Sequence, residues 1–283
     1  MWWLPLLACS MESVSERPKD QDVTGCNGHA VLCDRPLDEV TLPGTHNSMS
    51  NADADWLVPN QQHGITRQLE DGIRALMLDT MEWNGEPYLC HGYCDLGNQP
   101  LAEGLQEIES FMASHPREVL LIVFQDSLSV EATVEVMDSV GLTERVWAWD
   151  GQVPLPLLGD LIDADTRLVV TAESGGAPPT WYHHAWDLIT DTPYDFSDPS
   201  QYSCEAFRGQ EDNPLFLVNH WLGTPLPSEE NGRMANDAES LLARANRCGL
   251  ERDRRVNILA VDFYNHGGLF AVVDELNGIQ PAL

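Results

Sequence analysis

Beyond residue 39 the chain alternates short apolar runs with longer amphipathic stretches. The run Val119-Leu-Leu-Ile-Val-Phe124 contains no polar residue. Such continuity marks a strand buried on both faces. Runs of the same kind predict strands over 39–43, 75–80, 88–91, 119–125, 167–172, 186–190, 215–220 and 257–263. Between them, apolar residues recur at helical spacing over 65–71, 101–114, 130–140, 233–248 and 268–276. The stretch holding His183 and His184 reads as a loop beside an aromatic patch. Strands alternating with helices predict an α/β fold of the TIM-barrel type, an irregular βα barrel in a single domain. An open doubly wound sheet uses the same units, but no glycine-rich phosphate loop follows the first strand.

Polar residues stand where the apolar runs stop. His46 and Asn47 follow the first strand, Asp79 ends the second, and His91 ends the third. Gln125 and Asp126 end the fourth, and Glu173 follows the fifth. Asn219 and His220 close the seventh, and Asp262 and Tyr264 the eighth. In a parallel barrel the carboxyl ends of the strands form the catalytic rim. Recurrence at this one level therefore points to a site more firmly than any single residue does.

Charge narrows the partners. The 283 residues include 45 acids against 15 Lys and Arg, a net charge of -30. Such a chain repels nucleic acid and anionic bilayers, so no nucleic-acid partner is expected. A cation would reconcile it with a phosphate substrate. The segment Leu6-Leu-Ala-Cys9 resembles the end of a bacterial lipoprotein signal, which implies a lipid anchor at Cys9. Residues 1–9 are then a signal remnant, 10–25 a flexible tether, and 26–283 the barrel. The expected location is exported, as an envelope lipoprotein or a secreted protein, and the expected state is a monomer. No segment has 18 consecutive apolar residues, so no transmembrane helix is predicted. Setting Cys9 aside, six cysteines remain, which suits disulfides in an exported protein. Local pairing is the expectation: Cys26 with Cys33, Cys90 with Cys94, then Cys204 with Cys248. A zinc site on Cys90 and Cys94 lacks a second pair of ligands.

Three motifs carry candidate chemistry. In Leu42-Pro-Gly-Thr-His46-Asn-Ser48, Gly44 permits a tight turn off the strand and leaves His46 at the barrel mouth. An imidazole there can act as a base near neutral pH. The second motif is Gly72-Ile-Arg-Ala-Leu-Met-Leu-Asp79, and the third is Tyr88-Leu-Cys-His91-Gly92.

Taken in order, PGTHNS, GIRALMLD, LCHG, HPREVLLIVFQD and AVDFY resemble the catalytic domain of the phosphatidylinositol-specific phospholipases C. The resemblance is strongest to the phospholipase-C-like phosphodiesterase branch and runs from about Cys26 to Gly278. It implies an irregular TIM barrel and a pair of histidines, His46 and His91, acting as general base and general acid on a phosphodiester. It also implies that Asn47 and Asp79 bind Ca²⁺, with Mg²⁺ the second choice for such oxygen ligands. Metal-free bacterial members carry an Arg where Asp79 stands, and an Asp cannot supply that charge. Gln125 and Asp126 fall near another ligand position. Met77 departs from the pattern, since the calcium-dependent enzymes have an acid there.

The remaining candidates stay open. Arg74 reaches the phosphate, or forms an ion pair low in the barrel wall, five residues before Asp79. Asp262 orients the His46 imidazole, or caps the last strand. Glu173, His220 and Tyr264 are rim candidates for the substrate head group. The expected substrate is a phospholipid or other phosphodiester; so few basic residues disfavour a polyphosphorylated inositol. Two other functions compete: a glycerophosphodiesterase-like hydrolase, and a non-catalytic phosphoinositide- or glycan-binding barrel.

Overall fold

The computed structural model describes residues 24–280. The expected signal remnant with Cys9, and all but the end of the expected tether, lie outside them. Gly25 does not behave as tether: its carbonyl accepts a hydrogen bond from Arg117 Nε at 3.0 Å.

Ten strands form one sheet: β1 (Leu42–Thr45), β2 (Ala75–Trp83), β3 (Glu86–Leu89), β4 (Gln99–Pro100), β5 (Leu120–Asp126), β6 (Leu168–Ala172), β7 (His183–His184), β8 (Ile189–Asp191), β9 (Leu215–His220) and β10 (Ile258–Val261). Eight of them run parallel in the order β7-β6-β5-β2-β1-β10-β9-β8. The sheet curls as a TIM barrel does, but β7 and β8 do not pair, so it is open on that side.

Three elements differ from expectation. The segment 88–91 is not a barrel strand: β3 returns antiparallel along the extended end of β2 as a hairpin around Asn84-Gly85, and His91 lies beyond it. The eighth parallel strand is β7, in the stretch read as a loop. At two residues it is too short to carry a periodic signal. The helix predicted over 233–248 is two, Glu229–Ala235 and Ala238–Arg252, with Asp237 capping the second through Ser240 N–H.

Side chains of a strand alternate between faces, and the core divides accordingly. Leu42, Ala75, Met77, Leu121, Val123, Val169, Ile189, Leu215, Leu217, Ile258 and Ala260 share one cluster, the barrel interior. Their neighbours Leu76, Leu78, Ile122, Phe124, Val170, Phe216, Val218 and Leu259 pack outward with the helices, against Leu69, Leu105, Ile108 and Leu241. Gly44 belongs to the inward set. A Cβ there would sit 3.1 Å from Ile258 Cγ2 and 3.3 Å from Ala75 Cβ. Its role is therefore close packing inside the barrel, not the turn expected of it. The turn is made one step past His46 by Asn47, at φ 45°. Ser48 N–H then locks it to Met77 O at 2.9 Å.

The lower end of the barrel is held by arginines. Arg74 is fully buried and pairs with Glu118 at 2.6 Å. Its Nη1 donates to the carbonyls of Leu69 and Ile73, where the helix Ile65–Asp71 ends. Arg167 Nη2 likewise donates to Met112 O, near the end of the helix Leu101–Ser114. Arg74 is thus a structural residue, far from the rim where a phosphate could meet it. Three disulfides, Cys26–Cys33, Cys90–Cys94 and Cys204–Cys248, follow the local pairing expected.

Removing one partner of a buried ion pair strands the other without compensation. Glu118→Ala should therefore lower the unfolding free energy by about 3–5 kcal/mol, as measured by urea denaturation. A loss below about 1 kcal/mol would contradict the structural role of Arg74.

Candidate active site

The inward positions turn polar just above the apolar filling. On β2 the inward series is Ala75, Met77, Asp79; on β5 it is Leu121, Val123, Gln125. The same step leads to His46 past β1, Glu173 past β6, Asp191 on β8, Asn219 and Trp221 on and past β9, and Asp262 past β10. His46, Asn47, Met77, Asp79, Val123, Gln125, Glu173 and Trp221 line one cleft of roughly 370 Å³. Loops add Tyr194 and Arg208 to its wall.

His46 sits at its centre. Its Nδ1 lies 2.9 Å from Asp262 Oδ1. A carboxylate only accepts, so the proton of this bond is on Nδ1, and Nε2 carries the free lone pair. Asn60 donates to both Asp262 oxygens, at 3.2 and 3.1 Å, and accepts from Asn47 Nδ2 at 3.2 Å. Gln61 donates to the carbonyls of His46 and Val261, tying the loop before the first helix across β1 and β10. Trp221 stacks on the His46 ring, with 3.8 Å between centroids and 3° between planes.

The His91 ring lies edge-on to this one, with centroids 6.5 Å apart and planes at 73°. The β2–β3 hairpin delivers it: Cys90 N–H returns to Asp79 O at 3.3 Å. Gly92 then turns the chain at φ 69°, inside the short loop closed by Cys90–Cys94. Desolvation in the cleft mouth, and secondly the charge of His46, hold the His91 imidazole below its ordinary value, although its side chain is exposed.

Asp79 is nearly buried, and no Lys or Arg pairs with it among the described residues. Burial pushes its carboxyl up to about 7, against the pull of His46, and Glu173 adds to the rise. Arg208 is the guanidinium of the cleft. It binds Asp191 Oδ2 at 2.5 Å through Nη2 and Glu173 Oε2 at 3.0 Å through Nη1. It also lies over the rings of Trp186 and Tyr194, at 4.0 and 4.8 Å.

These residues come from a sheet whose architecture is shared. A family model for the PI-PLC X 1 domain matches residues 32–277. The chain belongs to the PI-PLC X family. A PI-PLC X domain-containing protein 1 of Arthroderma benhamiae is 29% identical, over 98% of this chain and 97% of that one. A PI-PLC X domain-containing protein of Arabidopsis thaliana is 26% identical, over 88% of this chain and 64% of its own length. Among solved structures, the phosphatidylinositol-specific phospholipase C of Listeria monocytogenes superposes with a TM-score of 0.60. It is 16% identical, with 88% of this chain and 96% of that one covered. A Staphylococcus aureus enzyme of the same name gives 0.58 at 12% identity, over 88% and 95%. At those identities the likeness is one of fold.

Within the PI-PLC X fold, strand parity separates the candidate residues. His46, Asn47, Asp79, Gln125, Glu173 and, through His46, Asp262 converge. Asp126 is out of phase with Gln125 and faces outward, where its Oδ1 caps Ser174 N–H at 2.7 Å. His220 is out of phase with Asn219: its Nε2 donates to Ala235 O and its Nδ1 accepts from Arg244. Burial first, and Arg244 second, push that imidazole down to about 3, so it stays neutral. Tyr264 follows Phe263, whose φ of 47° reverses the phase, and its hydroxyl donates to Asp71 at 2.7 Å. The sequence reading omits Arg208, Tyr194 and Trp221, which line the cleft, and Asn60 and Asp191, which hold Asp262 and Arg208. Parity alone would have found Asp191 and Trp221. The others lie in irregular segments with no local signal.

The donor set for a cation is made of oxygens. Asp79 supplies a carboxylate, and Asn47 and Gln125 supply amide oxygens at the same cleft; the Glu173 carboxylate there is held by Arg208. Among the described residues no group of three or more His, Cys, Asp or Glu converges on one point. Met77 fills an inward position with a thioether, which a hard cation does not use. The set suits Ca²⁺ completed by amide, water or substrate oxygens, and no soft or borderline metal.

The raised Asp79 carboxyl has a consequence for stability. It titrates near 7 in the fold and near 3.8 when unfolded, so the fold binds the proton more tightly. Its contribution to stability thus falls as pH rises from about 4 to about 7. In metal-free protein, Asp79→Asn should be stabilising at pH 8 by up to about 4 kcal/mol and nearly neutral at pH 4, as read by denaturant melts. An equal effect at both pH values would contradict this.

Proposed function

We propose that this protein is a phosphodiesterase of the phospholipase C type. It cleaves phosphatidylinositol or a related phosphodiester, with His46 as general base and His91 as general acid. The observation that carries the reading is the His46 arrangement: Nδ1 held by Asp262 at 2.9 Å, and the His91 ring edge-on to it at 6.5 Å. In the reaction, the head-group 2-hydroxyl gives its proton to His46 Nε2 as its oxygen bonds to phosphorus. The phosphorus–oxygen bond to glycerol breaks, and His91 protonates the departing oxygen. The cyclic phosphate so formed is opened by water with the two roles reversed. Asp262 orients the base throughout and steadies its positive form. Asn47 and Asp79, with Gln125 beside them, are the residues to hold Ca²⁺, which when bound supplies positive charge to the phosphate oxygens.

Glu173, Arg208 and Tyr194 form the head-group side. Arg208 is already neutralised by two carboxylates. The cluster therefore offers both acceptors and donors, which suits hydroxyls better than extra phosphates. The rim supports a lipid substrate: Leu57, Leu96 and Tyr93 are exposed beside His91, and Leu57 N–H bonds to Leu96 O. One Arthroderma benhamiae relative, 28% identical, is named a secreted protein, and with three disulfides this favours export. The lipid anchor at Cys9 and a monomeric state belong to the same reading.

Met77 favours the second reading, a binding barrel without turnover. The test is cleavage of phosphatidylinositol and of a soluble aryl phosphodiester, with Ca²⁺ and then with chelator. Wild type should turn over both with Ca²⁺ and lose activity in chelator. His46→Ala and His91→Ala should each lose about 10²–10⁴-fold. Turnover that survives chelator and both mutations would overturn the mechanism; no turnover at all would select the binding barrel. A general acid must be protonated, and His91 is held below its ordinary 6.5. The alkaline limb of kcat/KM should therefore begin below pH 6.5, and a rate still rising through pH 8 would contradict the assignment.

A further inference from the structure

Asp262 fixes the direction of the His46 Nδ1–H bond but leaves the ring free to rock about it. Something else must set the plane. Trp221 is the next inward position on β9 after Leu215, Leu217 and Asn219, so strand alternation aims it at the cleft. Its indole lies flat on the imidazole, 3.8 Å away and within 3° of parallel. Only 4% of Trp221 is exposed, so the indole is itself held in place. Tyr194 lies near it in the cleft wall, with centroids 6.4 Å apart and planes 27° apart. Phe207 meets Tyr194 edge-on in turn, at 5.6 Å. Trp221 thus belongs to a cluster of rings with Tyr194 and Phe207 beside His46.

We propose that Trp221 is the positioning residue of the general base, clamping the plane of His46 so that Nε2 faces the cleft and His91. This rests on the acid–base reading above. The hydrogen bond to Asp262 and the stack on Trp221 restrain different motions, so neither substitutes for the other. The stack also presents a π face to the ring when it carries the transferred proton, an attraction worth on the order of 2- to 30-fold in rate. Loss of ring placement by about 1 Å costs up to about 10²-fold.

The test combines two readouts on Trp221→Leu and Trp221→Phe. In the NMR spectrum at fixed pH, the His46 Hε1 resonance of wild type should be displaced upfield by the indole ring current. It should return downfield in Trp221→Leu and stay partly displaced in Trp221→Phe. In steady-state kinetics on the soluble diester with Ca²⁺, Trp221→Leu should lower kcat by about 10- to 100-fold with KM changed less than about threefold. Trp221→Phe should recover most of it. If Trp221→Leu does not fold, Trp221→Phe carries both readouts, with a smaller resonance shift and a loss of severalfold in kcat. An unmoved Hε1 resonance, or a rise in KM with kcat intact, overturns the proposal and makes Trp221 a substrate wall. If wild type shows no turnover, the phosphodiesterase reading fails on its own, and the resonance alone decides the stack.

Discussion

Along each parallel strand of this sheet, side chains alternate between the barrel interior and the helices, and the site depends on that alternation. The interior is closed by a layer of Leu, Val, Ile and Ala that excludes water from below. One inward step higher, on strand after strand, the side chain is polar. The sheet thereby converts a set of short local patterns into a ring of functional groups with no loop needed to gather most of them. His46, Asp79, Gln125, Glu173, Asp191, Asn219, Trp221 and Asp262 are all consequences of the same register. A shift of one residue in any strand would replace its functional group with an outward-facing one.

Much of this was legible from pattern alone. β2, β5, β6 and β9 are continuous apolar runs, and their ends mark the rim. The disulfide pairs follow chain proximity. The elements that escaped are those whose cause is not local. β7 is two residues long and exists because β6 offers it an edge. The β2–β3 hairpin looks like another barrel strand, because four residues do not reveal direction. Asp126 and His220 stand at the same strand ends as Gln125 and Asn219 but face outward, a difference that the apolar run before them does not reveal. Arg208 and Asn60 come from irregular segments and acquire meaning only through partners far along the chain.

An acidic protein that acts on an anion, as proposed, needs a source of positive charge. Among the described residues the buried arginines are committed. Arg74 and Arg167 hold helix ends at the base of the barrel. Arg244 lies buried behind β9, donating to Asn219 O and His220. Arg208 reaches the cleft, and Asp191 and Glu173 hold it there. Among the described residues, no Lys or Arg pairs with Asp79 on the side of the cleft that it shares with Asn47. Burial of Asp79 without such a partner is unfavourable, and a bound divalent cation would relieve it. On the proposed reading the base, His46, is held in direction by Asp262 and in plane by Trp221.

On the proposed mechanism the two histidines transfer protons to and from a diester that an internal hydroxyl attacks, and the order of products tests this. Phosphatidylinositol incubated with the protein and Ca²⁺ should be followed by ³¹P NMR. The resonance of the cyclic phosphodiester should appear first, and the acyclic monoester should grow only at its expense. A monoester formed directly from the lipid, with no cyclic species at any time, would contradict it.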